Sequence, residues 1–412
     1  MGDLGGRVLD PWRVRRIKRI LMGNLYQLRP YQETAVRRGI DYLRANHQRN
    51  GIEVLPTGSG KSLVIASIVT QLGEPCLIFQ PSKEILEQNF AKFVSYGCRP
   101  AVYSASIGEK RIGDITLATI GSVKNKYSLF DHMRYAIVDE CHFVNAKKGM
   151  YSEFFEKLGG VKILGLTATP YRLVTDSYGG SILKFLTRTR PRVLTDVVYQ
   201  VQTGDLFRQG FLAKLQYHQI KGFNRSKLQV NSTGADYTDK SVQAHFQELN
   251  FSDKIVKVVE RLFEIGRRSI LVFTRFVEES RYLQSKLQNS AIVTADTPKA
   301  ERELLLDGFK SGKIKVICNV GVLTTGFDYP ELETVVLARP TMSLALYYQM
   351  VGRAVRPHPE KSHAMIVDMV DLVPQFGHVE DLILRNTGND KWVVSSNGRQ
   401  LTNIYYGDRR FS

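Results

Sequence analysis

The chain has 412 residues, a length that favours two or three domains over one. Its hydrophobic content of 43% and charged content of 24% are ordinary for a globular protein with sizeable cores. The formal net charge of +17 favours a polyanionic partner, nucleic acid before a membrane surface, although a merely soluble basic protein would also carry such an excess.

The cysteine pattern bears on metal binding and on redox setting. The four cysteines contain no Cys-x-x-Cys pair, which predicts neither a zinc site nor a disulfide framework. We therefore expect a reducing, cytoplasmic setting. Apolar runs are too short to span a bilayer, and charges interrupt the apolar residues at the N-terminus, so we expect neither a membrane partner nor a signal peptide.

Residues 1–24 form a basic extension, with most of its charge between Arg13 and Arg19. Val14, Ile17 and Ile20 lie at helical spacing, which predicts a short amphipathic helix. Such a helix could contact nucleic-acid phosphates, or it could dock on the body with a solvated basic face, and the sequence leaves both interpretations open.

Residues 55–62 read Leu-Pro-Thr-Gly-Ser-Gly-Lys-Ser, between an apolar run that predicts a strand and an apolar stretch that predicts a helix. A glycine-rich turn at this place leaves backbone N–H groups unpaired, and with the positive helix end they can cradle phosphate oxygens. Lys61 can reach the β- and γ-phosphates, and the Ser62 hydroxyl can bind Mg²⁺. The residues expected to bind nucleotide here are Thr57, Gly58, Ser59, Gly60, Lys61 and Ser62.

Short apolar runs alternate with helical stretches from Ile52 onward, which predicts a parallel sheet covered by helices. The predicted elements are strands at 76–79, 101–103, 115–118, 135–138 and 163–166, and a helix at 83–96. Because parallel strands place their ligand loops at their carboxyl ends, the phosphate loop, Asp139 and Thr167 are expected at one nucleotide site.

A less regular region follows from about residue 171 to 250, and we place a domain boundary near residue 205. A second alternating block then predicts a second α/β domain, without a phosphate loop of its own. Its predicted elements are strands at 269–273, 314–318, 335–338 and 364–367, and helices at 277–287, 300–310 and 344–351. The predicted organisation is a basic extension at 1–24, domains at 25–205 and 206–372, and a tail at 373–412 that ends in a small hairpin.

Asp139, Glu140, Cys141 and His142 follow the apolar run 136–138. Hydrolysis of ATP needs a carboxylate that orients the metal ion and a group that positions and deprotonates water. Two adjacent carboxylates at a strand end can divide these tasks. Asp139 would hold Mg²⁺ through water, and Glu140 would activate the attacking water.

With these motifs in this order, the chain resembles a superfamily 2 helicase or translocase of the DEAD/DEAH type, with a DECH box at 139–142. Thr167-Ala168-Thr169-Pro170 resembles motif III, which implies that Thr167 and Thr169 couple the nucleotide site to nucleic acid. The resemblance implies the fold class as well: α/β, with two tandem RecA-like domains and a nucleotide cleft between them.

The segment Arg29-Pro30-Tyr31-Gln32 resembles the adenine-recognition motif of this superfamily. The resemblance implies that Gln32 bonds the edge of the base, and that Tyr31 or Arg29 packs against its face.

Several further segments resemble elements that contact the nucleic-acid backbone in this superfamily, namely 81–88, 118–122, 273–275 and 297–302. The contacting residues implied are Ser82, Lys83, Thr119, Ser122, Thr274, Arg302 and Thr324. Contacts of this kind go mainly to phosphates, so we expect little sequence preference and a strong dependence on salt.

Residues 319–328 resemble motif V, and the resemblance implies that Gly326 and Asp328 contact the nucleotide. Gln349, Gly352, Arg353 and Arg356 resemble motif VI, in which Gln349 and both arginines are implied in catalysis. Hydrolysis builds charge on the γ-phosphate, and a guanidinium aimed there stabilises it. The two arginines lie at i and i+3, so on a helix they would share one face, although structural ion pairs would also explain them.

The resemblance is greatest to the bacterial RadD-like and restriction-motor-like branch of the superfamily, and it covers roughly residues 25–370. It implies an ATP-dependent helicase or translocase that uses ATP and Mg²⁺ on DNA, single-stranded or branched, with RNA less favoured. Two alternatives stay open at this point. One is an ATP-gated clamp or annealing protein that does not unwind, and the other is the motor subunit of a larger DNA-processing or defence complex, with a protein partner.

Overall fold

The computed structural model describes residues 26–145, 149–175, 181–324, 326–389 and 391–406. The basic extension and Thr325 of the motif V segment lie outside the described residues, so the expected N-terminal helix stays a prediction. Within these ranges, no helix combines the length and the apolar character needed to cross a membrane. The described residues form two compact units, one of 26–49, 60–139 and 149–165, and one of 50–59, 140–145 and 166–406.

The first half of the chain alternates strands and helices, as the apolar runs predicted. Its helices are α1 (Pro30–Arg44), α2 (Lys61–Leu72), α3 (Lys83–Ser95), α4 (Ile120–Val123) and α5 (Met150–Leu158). Its strands are β1 (Gly51–Val54), β2 (Cys76–Gln80), β3 (Ala101–Ser104), β4 (Glu109–Lys110), β5 (Ile115–Thr119), β6 (Tyr135–Asp139), β7 (Lys162–Thr167), β8 (Tyr171–Thr175), β9 (Ser181–Phe185) and β10 (Asp196–Gln200).

Eight of these strands form one sheet in the order β10-β1-β7-β6-β2-β5-β3-β4. Strand β2 pairs in parallel with β5 and β6, β1 pairs in parallel with β10, and the short β4 runs antiparallel to β3. All residues of β1, β2 and β6 are buried, as expected for parallel strands covered on both faces. Continuous burial explains the apolar runs of β2 and β6, whereas β1 also buries the polar residue Glu53.

The second half holds helices α6 (Thr203–Arg208), α7 (Asp239–Glu248), α8 (Phe251–Glu264), α9 (Val277–Lys286), α10 (Lys299–Lys310), α11 (Leu344–Val351) and α12 (Leu372–Phe376). Its strands are β11 (Leu215–Gln219), β12 (Ile270–Phe273), β13 (Ser290–Val293), β14 (Val316–Asn319), β15 (Thr334–Leu337) and β16 (Ala364–Asp368). They form a six-stranded sheet in the order β11-β16-β15-β12-β14-β13, in which the recorded pairs are parallel.

The sequence did not predict the two edge strands of this sheet, β11 and β13. Both are only partly buried, and β11 reads Leu-Gln-Tyr-His-Gln, without a continuous apolar run. The strand predicted at 314–318 in fact begins at Val316, because Ile314 belongs to the preceding turn and donates its N–H to Gly308. The region expected to be irregular, 171–250, contains the antiparallel hairpin β8–β9, the strands β10 and β11, and the helices α6 and α7.

The tail contains more structure than the small hairpin that was predicted. Strands β17 (Ile383–Asn386), β18 (Trp392–Ser396) and β19 (Arg399–Gln400) form an antiparallel sheet. The last described strand, β20 (Tyr405–Tyr406), pairs antiparallel with β9, and the ring of Trp392 stacks 6.4 Å from that of Phe185. The end of the described chain is therefore tied to the hairpin that follows motif III.

Candidate nucleotide site

The phosphate loop lies between the end of β1 at Val54 and the first residue of α2, Lys61. Gly58 and Gly60 have φ angles of +81° and +82°, a backbone region that residues with a side chain rarely adopt. Gly60 is the N-terminal cap of α2, so the loop delivers its last N–H groups at the positive end of the helix. The loop thus has the backbone shape expected of a phosphate cradle, and its binding of nucleotide stays a prediction.

The adenine-recognition segment lies at the start of α1 and comes close to this loop. Pro30 opens the helix, where its fixed φ suits the first position, and the Arg29 N–H donates to Oε1 of Gln32 at 2.9 Å. A Cβ added to Gly60 would lie 2.5 Å from Nε2 of Gln32, so this amide covers the glycine. The Arg29 guanidinium donates to the Tyr31 hydroxyl at 3.3 Å, and burial raises the pKa of Tyr31.

Ser62 and Asp139 meet at a shared polar cluster through a residue that the sequence did not single out, Asn89 of α3. Oδ1 of Asn89 accepts a hydrogen bond from the Ser62 hydroxyl at 2.8 Å. Its Nδ2 donates to Oδ2 of Asp139 at 3.2 Å and to Oε1 of Gln80 at 2.6 Å. One amide thus links the helix after the phosphate loop to the strand that ends in the DECH box.

A signal for Asn89 and Gln80 was present in the sequence but was not used. Gln80 is the last residue of an otherwise apolar strand, and Asn89 lies between Leu86 and Phe93 on the buried face of α3. Asn89 is 5% exposed and Gln80 is fully buried, and Nε2 of Gln80 has no hydrogen-bond partner among the described residues. Buried polar side chains need partners, and a donor without one suits an acceptor such as a phosphate oxygen or a metal-bound water.

A second polar cluster joins the DECH box to motif III. Nδ1 of His142 lies 2.9 Å from the Thr167 hydroxyl, 3.2 Å from the Thr169 hydroxyl and 3.3 Å from Oε2 of Glu140. The Thr167 hydroxyl also donates to Oε2 of Glu140 at 3.3 Å. Both threonines are fully buried, so these contacts are shielded from bulk water. The expected coupling residues therefore contact the residue expected to activate water.

Glu140 has a φ of +50°, in the left-handed region, where a glutamate is strained by about 1–3 kcal/mol. It follows the end of β6 at Asp139 and precedes a short 3-10 turn at Cys141–Phe143. Such strain persists only where surrounding contacts hold it, and the bonds to His142 and Thr167 provide them.

The motif VI arginines do not lie on a helix, so the prediction that they share a helical face is wrong. Helix α11 ends at Val351, with Gly352 as its C-terminal cap. A Cβ on Gly352 would lie 2.9 Å from Cγ2 of Thr57 and 2.9 Å from the Tyr348 carbonyl oxygen. The helix therefore ends where its backbone contacts the phosphate loop, and the chain continues in tighter turns.

Both arginines contact the motif V segment instead. The Arg353 guanidinium donates from Nη1 to the Phe327 carbonyl at 2.7 Å and from Nε to the Gln349 carbonyl at 3.4 Å. Desolvation lowers the pKa of Arg353 to about 10, so it stays cationic at neutral pH. Nη1 of Arg356 lies 2.8 Å from Oδ2 of Asp328, the ion pair that the sequence left as an alternative.

The residues expected to contact nucleic acid in the first half have intramolecular partners. The Ser82 hydroxyl caps α3 by accepting the Ile85 N–H at 3.3 Å, and the Lys83 ammonium donates to the Ser106 carbonyl. The Thr119 and Ser122 hydroxyls lie 2.8 Å apart. These positions are partly exposed, and their role in binding stays a prediction.

Two of the residues of the second half that are expected to contact nucleic acid are held by hydrogen bonds within the protein. Thr274 is fully buried, and its hydroxyl lies 2.7 Å from that of Ser280, so its contact with nucleic acid stays a prediction. The Arg302 guanidinium donates to carbonyls of the 294–297 turn, which it braces. Thr324 is partly exposed and stays a prediction, as does the nucleotide contact of Gly326.

Two family models match the chain. Residues 25–172 match the family described as type III restriction enzyme, res subunit, and residues 253–358 match the helicase conserved C-terminal domain. Together they span the phosphate loop, the DECH box and the segments that resemble motifs III, V and VI.

Curated relatives carry related names. A 51.5 kDa protein of Lactococcus phage (isolate 7-9) is 30% identical over 76% of this chain and 64% of its own length. The putative ATP-dependent helicase IRC3 of Saccharomyces cerevisiae is 24% identical over 87% of this chain and 53% of its own. The DNA 3'-5' translocase XPB2 of Sulfurisphaera tokodaii is 26% identical over 85% of this chain and 83% of its own. The chain thus spans about half to two thirds of the first two of these relatives.

Solved structures share the fold. A fragment of a putative HsdR subunit of a type I restriction enzyme from Vibrio vulnificus YJ016 matches with a TM-score of 0.63 and 22% identity, over 86% of this chain and 66% of that one. The DNA-bound type ISP restriction-modification enzyme LlaBIII matches with a TM-score of 0.61 and 16% identity, over 84% of this chain and 28% of that one.

The two parallel sheets and the ordered motifs define an α/β protein with tandem RecA-like domains. With the matched models, they show that the chain belongs to the superfamily 2 helicases. Within that superfamily, residues 25–172 are similar to the res subunit of type III restriction enzymes.

Proposed function

We propose that this protein is an ATP-dependent helicase or translocase that hydrolyses ATP to move along DNA or to unwind it. The observation that carries the proposal is the cluster of Ser62, Asn89 and Asp139, which joins the phosphate loop to the DECH box. The relatives named as helicases and translocases support the same activity.

In this proposal the phosphate loop and Lys61 bind the phosphates of ATP, and Gln32 recognises its base. The oxygens of Ser62 and Asp139 fit Mg²⁺, which prefers oxygen ligands and keeps several waters. These two oxygens and the phosphates of ATP would hold the ion. When bound, Mg²⁺ neutralises charge on the phosphate oxygens.

Glu140 is the group that we assign to water activation. Its carboxylate already accepts a hydrogen bond from Thr167 and contacts His142, so its orientation is fixed before substrate arrives. Arg353 and Arg356 would stabilise the charge that develops on the γ-phosphate. Thr167 and Thr169 would couple changes in the position of Glu140 to the bound nucleic acid, through their contacts with His142.

DNA is the proposed partner, single-stranded or branched. The net charge of +17 favours a polyanion, and XPB2 of S. tokodaii is named as a DNA translocase. Backbone contacts by the partly exposed residues would give binding that weakens steeply with salt.

The test is ATPase activity of the full chain with single-stranded, duplex and forked DNA and with RNA, at several salt concentrations. We expect stimulation by DNA, and a loss of about 10²-fold or more in Lys61→Ala and in Glu140→Gln. Gln243→Ala, an exposed change on α7, is the matched control and should keep full activity. Unchanged turnover in both site variants would refute the proposal, and release of a labelled strand from the fork would separate unwinding from clamping.

A further inference from the structure

Lys361 is a nearly buried lysine whose ammonium has no role in the site described so far. Its residue is 9% exposed, and it ends a tight turn that His358 begins. The ammonium donates hydrogen bonds to the carbonyl oxygens of Pro330 at 2.6 Å, Leu332 at 3.2 Å and Ala354 at 3.1 Å. A lysine ammonium has three N–H donors, so all of them are used on backbone oxygens.

These three carbonyls belong to two segments that matter for the arginines. Pro330 and Leu332 follow the motif V segment directly, and Ala354 lies between the two arginines of motif VI. The same two segments contact each other through the bond from Arg353 to the Phe327 carbonyl and through the Arg356–Asp328 ion pair. The Lys361 ammonium thus hydrogen-bonds to both chain segments, the one that carries the arginines and the one that carries their partners.

We propose that Lys361 is a positioning residue for Arg353 and Arg356. By holding the Ala354 carbonyl against the 330–332 segment, it fixes the backbone from which both guanidinium groups project. This inference rests on the proposed ATPase function, since it concerns how the arginines of that site are held.

Burial of an ammonium is unfavourable for the free energy of folding, and a well-packed apolar side chain at this position would give a more stable protein. The specific geometry of three carbonyl acceptors from two segments is what a lysine supplies and an apolar residue does not. A displacement of about 1 Å of a catalytic group can cost roughly 10²-fold in rate, so a small change at Lys361 can have a large effect at Arg353.

The charge state of Lys361 gives an independent readout. Burial lowers its pKa to about 8, with Arg356 acting in the same direction and Glu333 opposing it. The other ionisable side chains of the same turn and segment are His358, Glu360 and Glu331, and His358 lies 3.6 Å from Glu331. A neutral amine has two N–H groups, so loss of the proton leaves one of the three carbonyls without its donor.

The experiment compares Lys361→Met and Lys361→Arg in the full chain, with steady-state ATPase measured on saturating DNA. We expect kcat to fall about 100-fold in Lys361→Met, while KM for ATP changes by less than about threefold, because Lys361 touches no phosphate-binding residue. The arginine variant keeps the charge and its donors, and should recover at least part of the loss.

A double-mutant cycle with Arg353→Ala separates positioning from a general structural role. If Lys361 acts through the two arginines, then Lys361→Met should cost less in the Arg353→Ala background than in the wild type, because only Arg356 remains to be positioned. An equal loss in both backgrounds, or an unchanged kcat in the single variant, would overturn the inference while leaving the proposed function intact. A wild-type chain without ATPase activity would refute the proposed function itself, and this inference with it.

Should Lys361→Met fail to fold, the pH profile decides. The wild-type rate should then fall as pH rises through about 8, and Lys361→Arg should show no such fall because its guanidinium stays charged. Identical profiles for the two proteins between pH 7 and 9 would overturn the inference.

Discussion

Replacing Asn89 by alanine tests the cluster that joins the phosphate loop to the DECH box. The change removes two neutral hydrogen bonds, to Ser62 and Gln80, and one to the carboxylate of Asp139. At about 1 kcal/mol for each neutral bond and about 2 kcal/mol for the charged one, the loss is about 4 kcal/mol. Asn89 is 5% exposed, so little water can replace it.

For a domain of this size, such a loss lowers the unfolding temperature by ~8–16 °C, which differential scanning calorimetry resolves. Gln243→Ala, an exposed amide removed from α7, is the control and should change the midpoint by less than about 2 °C. The Mg²⁺ concentration for half-maximal ATPase should also rise in Asn89→Ala, since Ser62 and Asp139 lose the amide between them. A melting temperature of Asn89→Ala within 2 °C of the control would correspond to a loss of unfolding free energy on the order of 0.5 kcal/mol. The three hydrogen bonds would then contribute little to stability, and the reasoning would fail.

Two further predictions concern one glycine and one buried acid. Gly60→Ala places a Cβ 2.5 Å from Nε2 of Gln32 at a φ of +82°, so KM for ATP should rise roughly tenfold. The control Gly73→Ala has a φ of +67° and open space around it, so it should lower stability by a similar amount without changing KM. An equal rise in KM in both variants would contradict the role of the Gly60–Gln32 contact. Burial raises the pKa of Glu279 to about 7 although the Phe276 N–H donates to it. The folded carboxyl then holds a proton that the unfolded one, at 4.5, has lost, so stability falls as pH rises between about 4.5 and 7. Glu279→Gln should remove that slope and stabilise the protein by about 3 kcal/mol at pH 8; melting curves at pH 5 and pH 8 that shift alike in both proteins would count against it.

Most elements of the candidate nucleotide site could be predicted from local sequence. The phosphate loop depends on glycines in the left-handed region and on a helix that starts at Lys61, and both properties belong to a short stretch of chain. The DECH box and motif III follow buried strands, whose continuous apolar runs made their ends visible. Parallel topology then brings these ends to one edge of the sheet.

The features that could not be predicted from the sequence are the partly buried edge strands of the second sheet and contacts between residues far apart in the chain. The edge strands β11 and β13 are only partly buried; β11 lacks an apolar run, and the apolar residues of β13 number only three. Helix α11 spans 344–351 as predicted, so Arg353 and Arg356 lie beyond its end. The contact of Gly352 with Thr57, almost three hundred residues away along the chain, could not be predicted from sequence: a Cβ on Gly352 would lie 2.9 Å from Cγ2 of Thr57.

Local sequence therefore determined the phosphate loop, the acidic box and the two α/β blocks, because backbone conformation and apolar periodicity are set by near neighbours. Only the tertiary structure decided that Asn89 joins Ser62 to Asp139, and that Lys361 fastens the segment of the arginines to that of motif V. Those contacts depend on buried polar groups finding partners across distant segments, and no spacing along the chain encodes which partners they find.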